Sequence, residues 1–577
     1  MNFVTKLNNL VIDFLNAWIT YLERYWWCIG IVFGIFTTLS WLNRQNKAGG
    51  FFASLAITAL VFQPVFYFVV PYAAKQYAGV EFHLPNYHLW AFGTGSVVGV
   101  AIVIATLRYF APTIETIKHK LTKTSSVERN RKSDIRTIAK FLPNAQTAYD
   151  PTKYFNSKKG IFFGLNEQKK PVYLPWQQWR KSHVDVIGTT GSGKGVAAGV
   201  LLSQAVASGE CVVVVDPKND EWLPHVMREA AASANVPYVY IDLQSDQPQW
   251  NPIQYKNAAA VEELLCAGFS LGDKGSEGDF FRLSDRRAAR IFGDIAHGQH
   301  LTLIQILQQL IEQQSDIAEA GKKFVSDLEE IGLIAAVNTE YGVDLAKLIQ
   351  QGAVIYVRGS LRNPRILKLQ RIFVLSVMQH IEARDRDTAR HVCLFIDEFK
   401  FLISKPALEA LGAIRDKRAH VMIAHQSLGD LRDCPADLDP ESVVASVNEN
   451  CAIKMAYQVK DPDTALWLAR MSGTILVDDE TRQVKTNAGL TETRDGERTL
   501  RQAERPLIDT NMLHALPERC AVLYGAGLAQ FFFTSPIQVI KGNQAITPVK
   551  IPNAQTNTEQ QVFKPSLTTA QSMLDVD

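Results

Sequence analysis

The stretch that most constrains this chain runs from Val184 to Val206. Val184-Asp-Val-Ile187 is an apolar run, and Gly188-Thr189-Thr190-Gly191-Ser192-Gly193-Lys194-Gly195 is a glycine-rich loop. Val196-Ala-Ala-Gly-Val-Leu-Leu-Ser-Gln-Ala-Val206 continues as a helix. Strand, loop and helix in that order make a phosphate cradle. The glycines let backbone N–H groups turn inward, the helix start adds its dipole, and Lys194 reaches the outer phosphates. A chance glycine-rich turn has no reason to sit between such a strand and such a helix. One position departs from the general P-loop, which ends Gly-Lys-Ser/Thr with the hydroxyl as a Mg²⁺ ligand. Gly195 stands there, so the metal has to be held by phosphates, water and another residue.

The complementary half lies about 200 residues downstream. Val392-Cys-Leu-Phe-Ile-Asp397-Glu398 is an apolar strand ending in two acids, the Walker B form. Asp397 is placed to hold Mg²⁺ through its water shell and Glu398 to polarise the attacking water, which makes ATP and Mg²⁺ the expected cofactors. A helix over about 405–418 then leads into His420-Val-Met-Ile-Ala-His-Gln426-Ser427. Gln426, at the tip of that strand, is the candidate sensor of the γ-phosphate, against the plainer reading of a strand-end cap. Arg415, Lys417 and Arg418 close the preceding helix; they complement its dipole or, in a ring of identical subunits, one reaches a neighbour's nucleotide.

Cys211-Val-Val-Val-Val-Asp216-Pro-Lys218, Val236–Asp242 and Ala353–Val357 repeat the buried-strand pattern with helices between, which implies a parallel sheet covered on both faces. The alternation stops between 255 and 350, where four helical stretches predict an inserted all-α domain. The expected organisation is therefore an anchor over 1–107, a basic linker over 108–150, and a P-loop NTPase domain in two parts, 151–254 and 351–542. The all-α domain (255–350) lies between those parts, and a disordered tail rich in Gln, Thr, Asn and Pro occupies 543–577.

The anchor is read from three uncharged runs, Trp26–Leu42, Phe51–Ala74 and Leu89–Leu107, each near the ~20 residues that span a bilayer. Residues 1–24 carry apolar positions at helical spacing, as an interfacial helix or one packed on the adjoining apolar runs, and lack a signal peptide's pattern. Basic residues crowd the chain after Leu107, and positive-inside logic puts everything after Arg108 in the cytoplasm. Three crossings place the N-terminus outside; the short first run could instead dip without crossing. The net charge of +2 does not announce a nucleic-acid binder, so any such role must come from local patches. Seven scattered cysteines with no Cys-x-x-Cys pair argue against a disulfide framework or a zinc motif.

The anchor, GTTGSGKG, VVVVDPKND, the WNPI at 250–253, LFIDE, IRDKRAHVMIAHQS and the RPLI at 505–508 together resemble the type IV coupling proteins of bacterial conjugation, the TraD/TraG type. The likeness covers most of 180–540 and, more loosely, the anchor. It implies a RecA/FtsK-like hexameric ATPase of the bacterial inner membrane, with branches whose P-loop ends Gly-Lys-Gly and an all-α domain facing the relaxosome. It also implies partners: relaxase, channel components, membrane lipids, and DNA gripped without regard to sequence. Carried over by position, Lys194 binds phosphate, Asp397 and Glu398 serve Mg²⁺ and water, Gln426 is the sensor, and Arg415 is the arginine finger. Leu428-Gly-Asp departs from the Tyr-Gly common in the family, and three spans exceed its usual two. An FtsK-like chromosome translocase, a receptor for protein effectors and a scaffold with a dead site are the competing readings. Intact Lys194, Asp397 and Glu398 argue against the last.

Overall fold

The computed structural model describes residues 25–39, 88–106, 134–144, 147–272, 278–486, 492–539 and 546–551, with short pieces and single positions elsewhere before residue 130. The second apolar run up to residue 67, most of residues 1–24, the basic stretch 107–127 and the tail from 552 lie outside the described residues. The chain divides into two compact units, Met1–Val127 and Glu128–Asp577.

In the first unit, a helix over 25–39 packs on His88–Ala105 through glycines of both partners. A Cβ on Gly95 would meet the Trp27 carbonyl oxygen at 2.2 Å, and one on Gly99 the Ile31 oxygen at 2.3 Å. Gly30 and Gly34 stand in the same relation to Phe92 and Ser96. Two small residues four apart on each helix thus let the backbones touch. Gly93, by contrast, faces nothing within 4 Å. Thr37, Thr38 and Ser96 donate their hydroxyls to carbonyls one turn earlier, so the pair carries few unsatisfied polar groups. Its outer surface is apolar, with Val32, Phe36, Leu39, Val97 and Ile104 all exposed. Among the described residues, no helix is long and apolar enough to cross a membrane. The three expected crossings are therefore not present there as complete spans.

The second unit is built on an eleven-stranded sheet. A two-residue strand β1 (Glu128–Arg129) comes first, then β2 (Ile161–Leu165), β3 (Pro171–Leu174), β4 (Val184–Ile187), β5 (Cys211–Asp216), β6 (Tyr238–Asp242) and β7 (Val354–Arg358). They are followed by β8 (Val392–Ile396), β9 (Ala419–His425), β10 (Ile453–Ala456), β11 (Thr474–Thr486), β12 (Glu492–Pro506), β13 (Cys520–Tyr524) and β14 (Gln530–Phe533). The sheet order is β3-β2-β14-β13-β10-β4-β9-β8-β5-β7-β6. From β10 to β6 every pair is parallel.

Those strands are buried on both faces, which is why they read as continuous apolar runs. Alternate residues feed different cores. Val212, Val214, Cys393, Phe395 and Met422 pack with the helix Lys194–Ala207. Val213, Val215, Leu394, Ile396 and Val421 pack with Pro364–Glu382 and the helices before β7. Six helices and no strand lie between β6 and β7 among the described residues. Phe269 and Phe292 meet Phe324 edge-on at their centre, with ring centroids 5.8 Å apart in each pair.

Two features differ from the strand–helix reading. The sheet is mixed, because β13, β14, β2 and β3 run antiparallel along one edge. A long hairpin, β11 with β12, stands in a separate three-stranded sheet with β1. Its segments are so rich in charge that they lack the alternation by which a strand is recognised in a sequence.

Candidate active site

The loop after β4 is shaped by backbone that only glycine adopts easily. Gly191 (φ +79) and Gly193 (φ +120) stand in the left-handed region, and a Cβ on Gly193 would come 3.0 Å from the Tyr457 ring. Neighbouring segments pin the loop. Thr189 N donates to the Gln458 oxygen at 2.9 Å and Arg519 N to the Ser192 oxygen at 3.0 Å. Lys194 opens the following helix, is 7% exposed, and donates its ammonium to the Gly188 and Thr189 carbonyls. Burial, then the charge of Lys218, lowers its pKa.

The order β4-β9-β8-β5 puts four loops side by side at the carboxyl ends of parallel strands, where such sheets bind ligands. Asp397 and Glu398 follow β8, and Glu398 is buried with a left-handed backbone (φ 46). A non-glycine residue there costs about 1–3 kcal/mol and persists where the surroundings hold it. Gln426, after β9, lies with Nε2 3.4 Å from Glu398 Oε1, while its own N–H donates to Asp430. From the loop after β5 comes Lys218, whose ammonium is 3.4 Å from Asp397 Oδ2 and in contact with Glu398. Burial opposes that charge, but the two carboxylates outweigh it and raise the Lys218 pKa. Burial raises the Asp397 pKa, with Lys218 opposing.

The site therefore brings together Lys194, Asp397, Glu398 and Gln426. It does not include Arg415, which is exposed in a 3₁₀ turn (Ile414–Lys417) before β9. Gln426 lies beyond the other end of that seven-residue strand, about 23 Å along it. Sequence reasoning missed two features. Lys218 reads in the sequence only as the end of a strand motif. His425 and Asp185 form a fully buried pair with Nε2 2.9 Å from Oδ1. Burial works against the imidazolium, but Asp185 wins and raises the His425 pKa. That pair ties β9, just before Gln426, to β4, just before the phosphate loop. Buried polar residues inside two apolar strands, Asp185 and His425, were the available signal.

The residues at Gly195 fit a metal. A Cβ there would lie 3.8 Å from Asp220 Oδ2. A carboxylate thus stands beside the place of the missing hydroxyl, with Asp397 on the neighbouring loop.

Fold and site together define a P-loop NTPase with a mixed sheet whose centre is parallel. Residues 391–518 match the family described as the TraM recognition site of TraD and TraG. Residues 161–224 match the central domain of the helicase HerA. The Escherichia coli protein "Mobilization protein A" is 27% identical over 431 residues, 71% of this chain and 77% of its own. Among solved structures, the bacterial conjugative coupling protein TrwBdeltaN70 aligns in its unbound monoclinic form over 70% of this chain and 97% of its own. That alignment has a TM-score of 0.53 at 15% identity. Its trigonal form gives 0.50 at 14% identity over 70% of this chain and 96% of its own. These matches support a type IV coupling protein, the class its motifs resemble.

Proposed function

We propose that the chain is an inner-membrane ATPase that passes a relaxase–DNA substrate to a type IV secretion channel. The observation that carries this reading is the meeting of Lys194, Asp397, Glu398 and Gln426 at the ends of β4, β8 and β9. Lys194 holds the outer phosphates of ATP. Asp397, with Asp220 in place of the hydroxyl, holds the water shell of Mg²⁺, which neutralises phosphate charge when bound. Glu398 polarises the attacking water, and Gln426 senses the γ-phosphate through its contact with Glu398. Lys218 neutralises both carboxylates and moves aside for the metal. The test is ATP turnover by the purified full-length chain with and without DNA. Stimulation by DNA of unrelated sequences is expected. Basal turnover indifferent to DNA would favour a receptor for protein substrates.

The anchor belongs to the same reading. The glycine-mediated contact between 25–39 and His88–Ala105, with apolar side chains outward, suits a lipid environment better than water. A reporter active only in the periplasm should be active when fused near Tyr77 and silent near Thr122. The reverse pair of results would overturn the cytoplasmic placement of the motor.

Arg415 acts across subunits in this reading, in a ring that is most simply a hexamer. Its exposure, and its distance along β9 from its own phosphate loop, suit a neighbour's nucleotide. Such fingers are worth ~10³-fold or more in rate. Mixed rings of Arg415→Ala and Lys194→Ala subunits should recover turnover that neither variant has alone. Titrated mixtures, shown to form mixed rings, that never exceed either variant would remove Arg415 from this role.

A further inference from the structure

Glu210, His391 and His420 form a second polar cluster, at the amino ends of the strands. Glu210 precedes β5, His391 precedes β8, and His420 is the second residue of β9. Register places Val212 beside Cys393 and Cys393 beside His420. Side chains alternate along a strand, so Glu210, His391 and His420 share the face that bears Val212 and Cys393. One ligand atom from each lies within 4.8 Å of the other two, the only such trio among the described residues.

The protein's own hydrogen bonds leave this cluster incomplete. His391 Nε2 and His420 Nδ1 are 2.9 Å apart, so one ring donates to the other. Arg180 Nε donates to Glu210 Oε1 at 2.8 Å. Glu210 Oε2 and His420 Nε2, in residues 1% and 0% exposed, make no hydrogen bond of good geometry; the Trp179 indole N–H, itself unpaired, lies near the Glu210 carboxylate. Leaving two such atoms unsatisfied in an interior costs about 1–3 kcal/mol each.

We propose that Glu210, His391 and His420 hold a divalent transition-metal ion, Zn²⁺ being the best fit. Two imidazole nitrogens and one carboxylate oxygen are a common zinc donor set, with water in the fourth place. Arg180 fixes the other oxygen of Glu210, as outer partners of ligating carboxylates do. Binding replaces the hydrogen bond between the two rings. Ligation through His391 Nε2 and His420 Nδ1 leaves each imidazole proton on the ring's other nitrogen, so no proton is lost and His420 Nε2 stays outside the donor set. Both rings are ready for this at neutral pH. Burial pushes the His391 pKa down to about 3 and that of His420 well below its ordinary value. Cys211 faces the other side of the sheet, and neither it nor Cys393 joins the trio of converging ligand atoms. Arg180, Arg384 and Arg418 stand around His391 and oppose any cation. They repel every divalent cation alike, so selection rests on the donors: two nitrogens and one oxygen suit zinc better than Mg²⁺ or Ca²⁺, which take several oxygens. The ion would tie β5, β8 and β9 together at the end opposite the nucleotide loops.

The test uses the full-length chain in detergent, without a polyhistidine tag, stripped with chelator and dialysed against Zn²⁺. Elemental analysis should find about one zinc per chain, and unfolding should shift to higher temperature. Co²⁺ should give the visible absorption of a tetrahedral site. His391→Ala, at a partly buried ring, and Glu210→Gln should each weaken zinc binding at least ~10-fold. Both variants should keep the metal-free protein's ATP turnover, because a five- to six-residue strand, about 17–20 Å, separates this cluster from the loops. Zinc retention equal in wild type and variants would overturn the proposal. So would a wild type that keeps neither zinc nor cobalt, since the cluster would then hold a water only.

Discussion

Lys194→Ala should lower ATP turnover by ~10² to 10³-fold or more, the loss typical of removing one fixed donor from a developing charge. No second lysine or arginine stands on that loop to replace it. The fold should survive. Lys194 is buried with only loop carbonyls as hydrogen-bond partners, and its replacement removes a desolvated charge without stranding a buried carboxylate. Turnover assays and a thermal melt on the same preparation check both halves. Wild-type hydrolysis in the purified variant would exclude the phosphate role, and a collapsed melting temperature would assign Lys194 to stability.

Glu398→Gln should separate binding from chemistry. The substitution keeps size and leaves an oxygen for Gln426 to meet, but it removes the charge that polarises water. Hydrolysis should fall by ~10² to 10⁴-fold while nucleotide affinity changes little, because Asp397 remains for Mg²⁺. Loss of the Lys218–Glu398 pair should favour nucleotide binding slightly, since Lys218 is then held by Asp397 alone. Equilibrium binding of a slowly hydrolysed analogue against single-turnover hydrolysis distinguishes the cases. Affinity lost as severely as turnover would make Glu398 a structural residue, a role its left-handed backbone at the head of the Phe399–Leu402 turn also suits.

Most of the candidate site was legible in one dimension. Strand, glycine loop and helix are contiguous, so local chemistry dictates a phosphate cradle at 188–195 whatever surrounds it. Likewise Val392–Glu398 declares its own buried strand and its acidic end. The helical stretches between 255 and 350 carry their period within single segments.

What the tertiary structure alone decided depends on residues far apart in the chain. The positions of β13 beside β10 and of β2 beside β14 rest on pairings across up to several hundred residues, which periodicity does not encode. Asp220 comes to stand beside Gly195 only because the β5 loop folds against the phosphate loop. Lys218, in one dimension the end of a strand motif, is in three the counter-ion of acids nearly 180 residues away. Glu210, His391 and His420 have no motif spacing at all. Three parallel strands in register brought them within reach of one another, because side chains two residues apart along a strand face the same side and neighbouring strands lie ~4.8 Å apart.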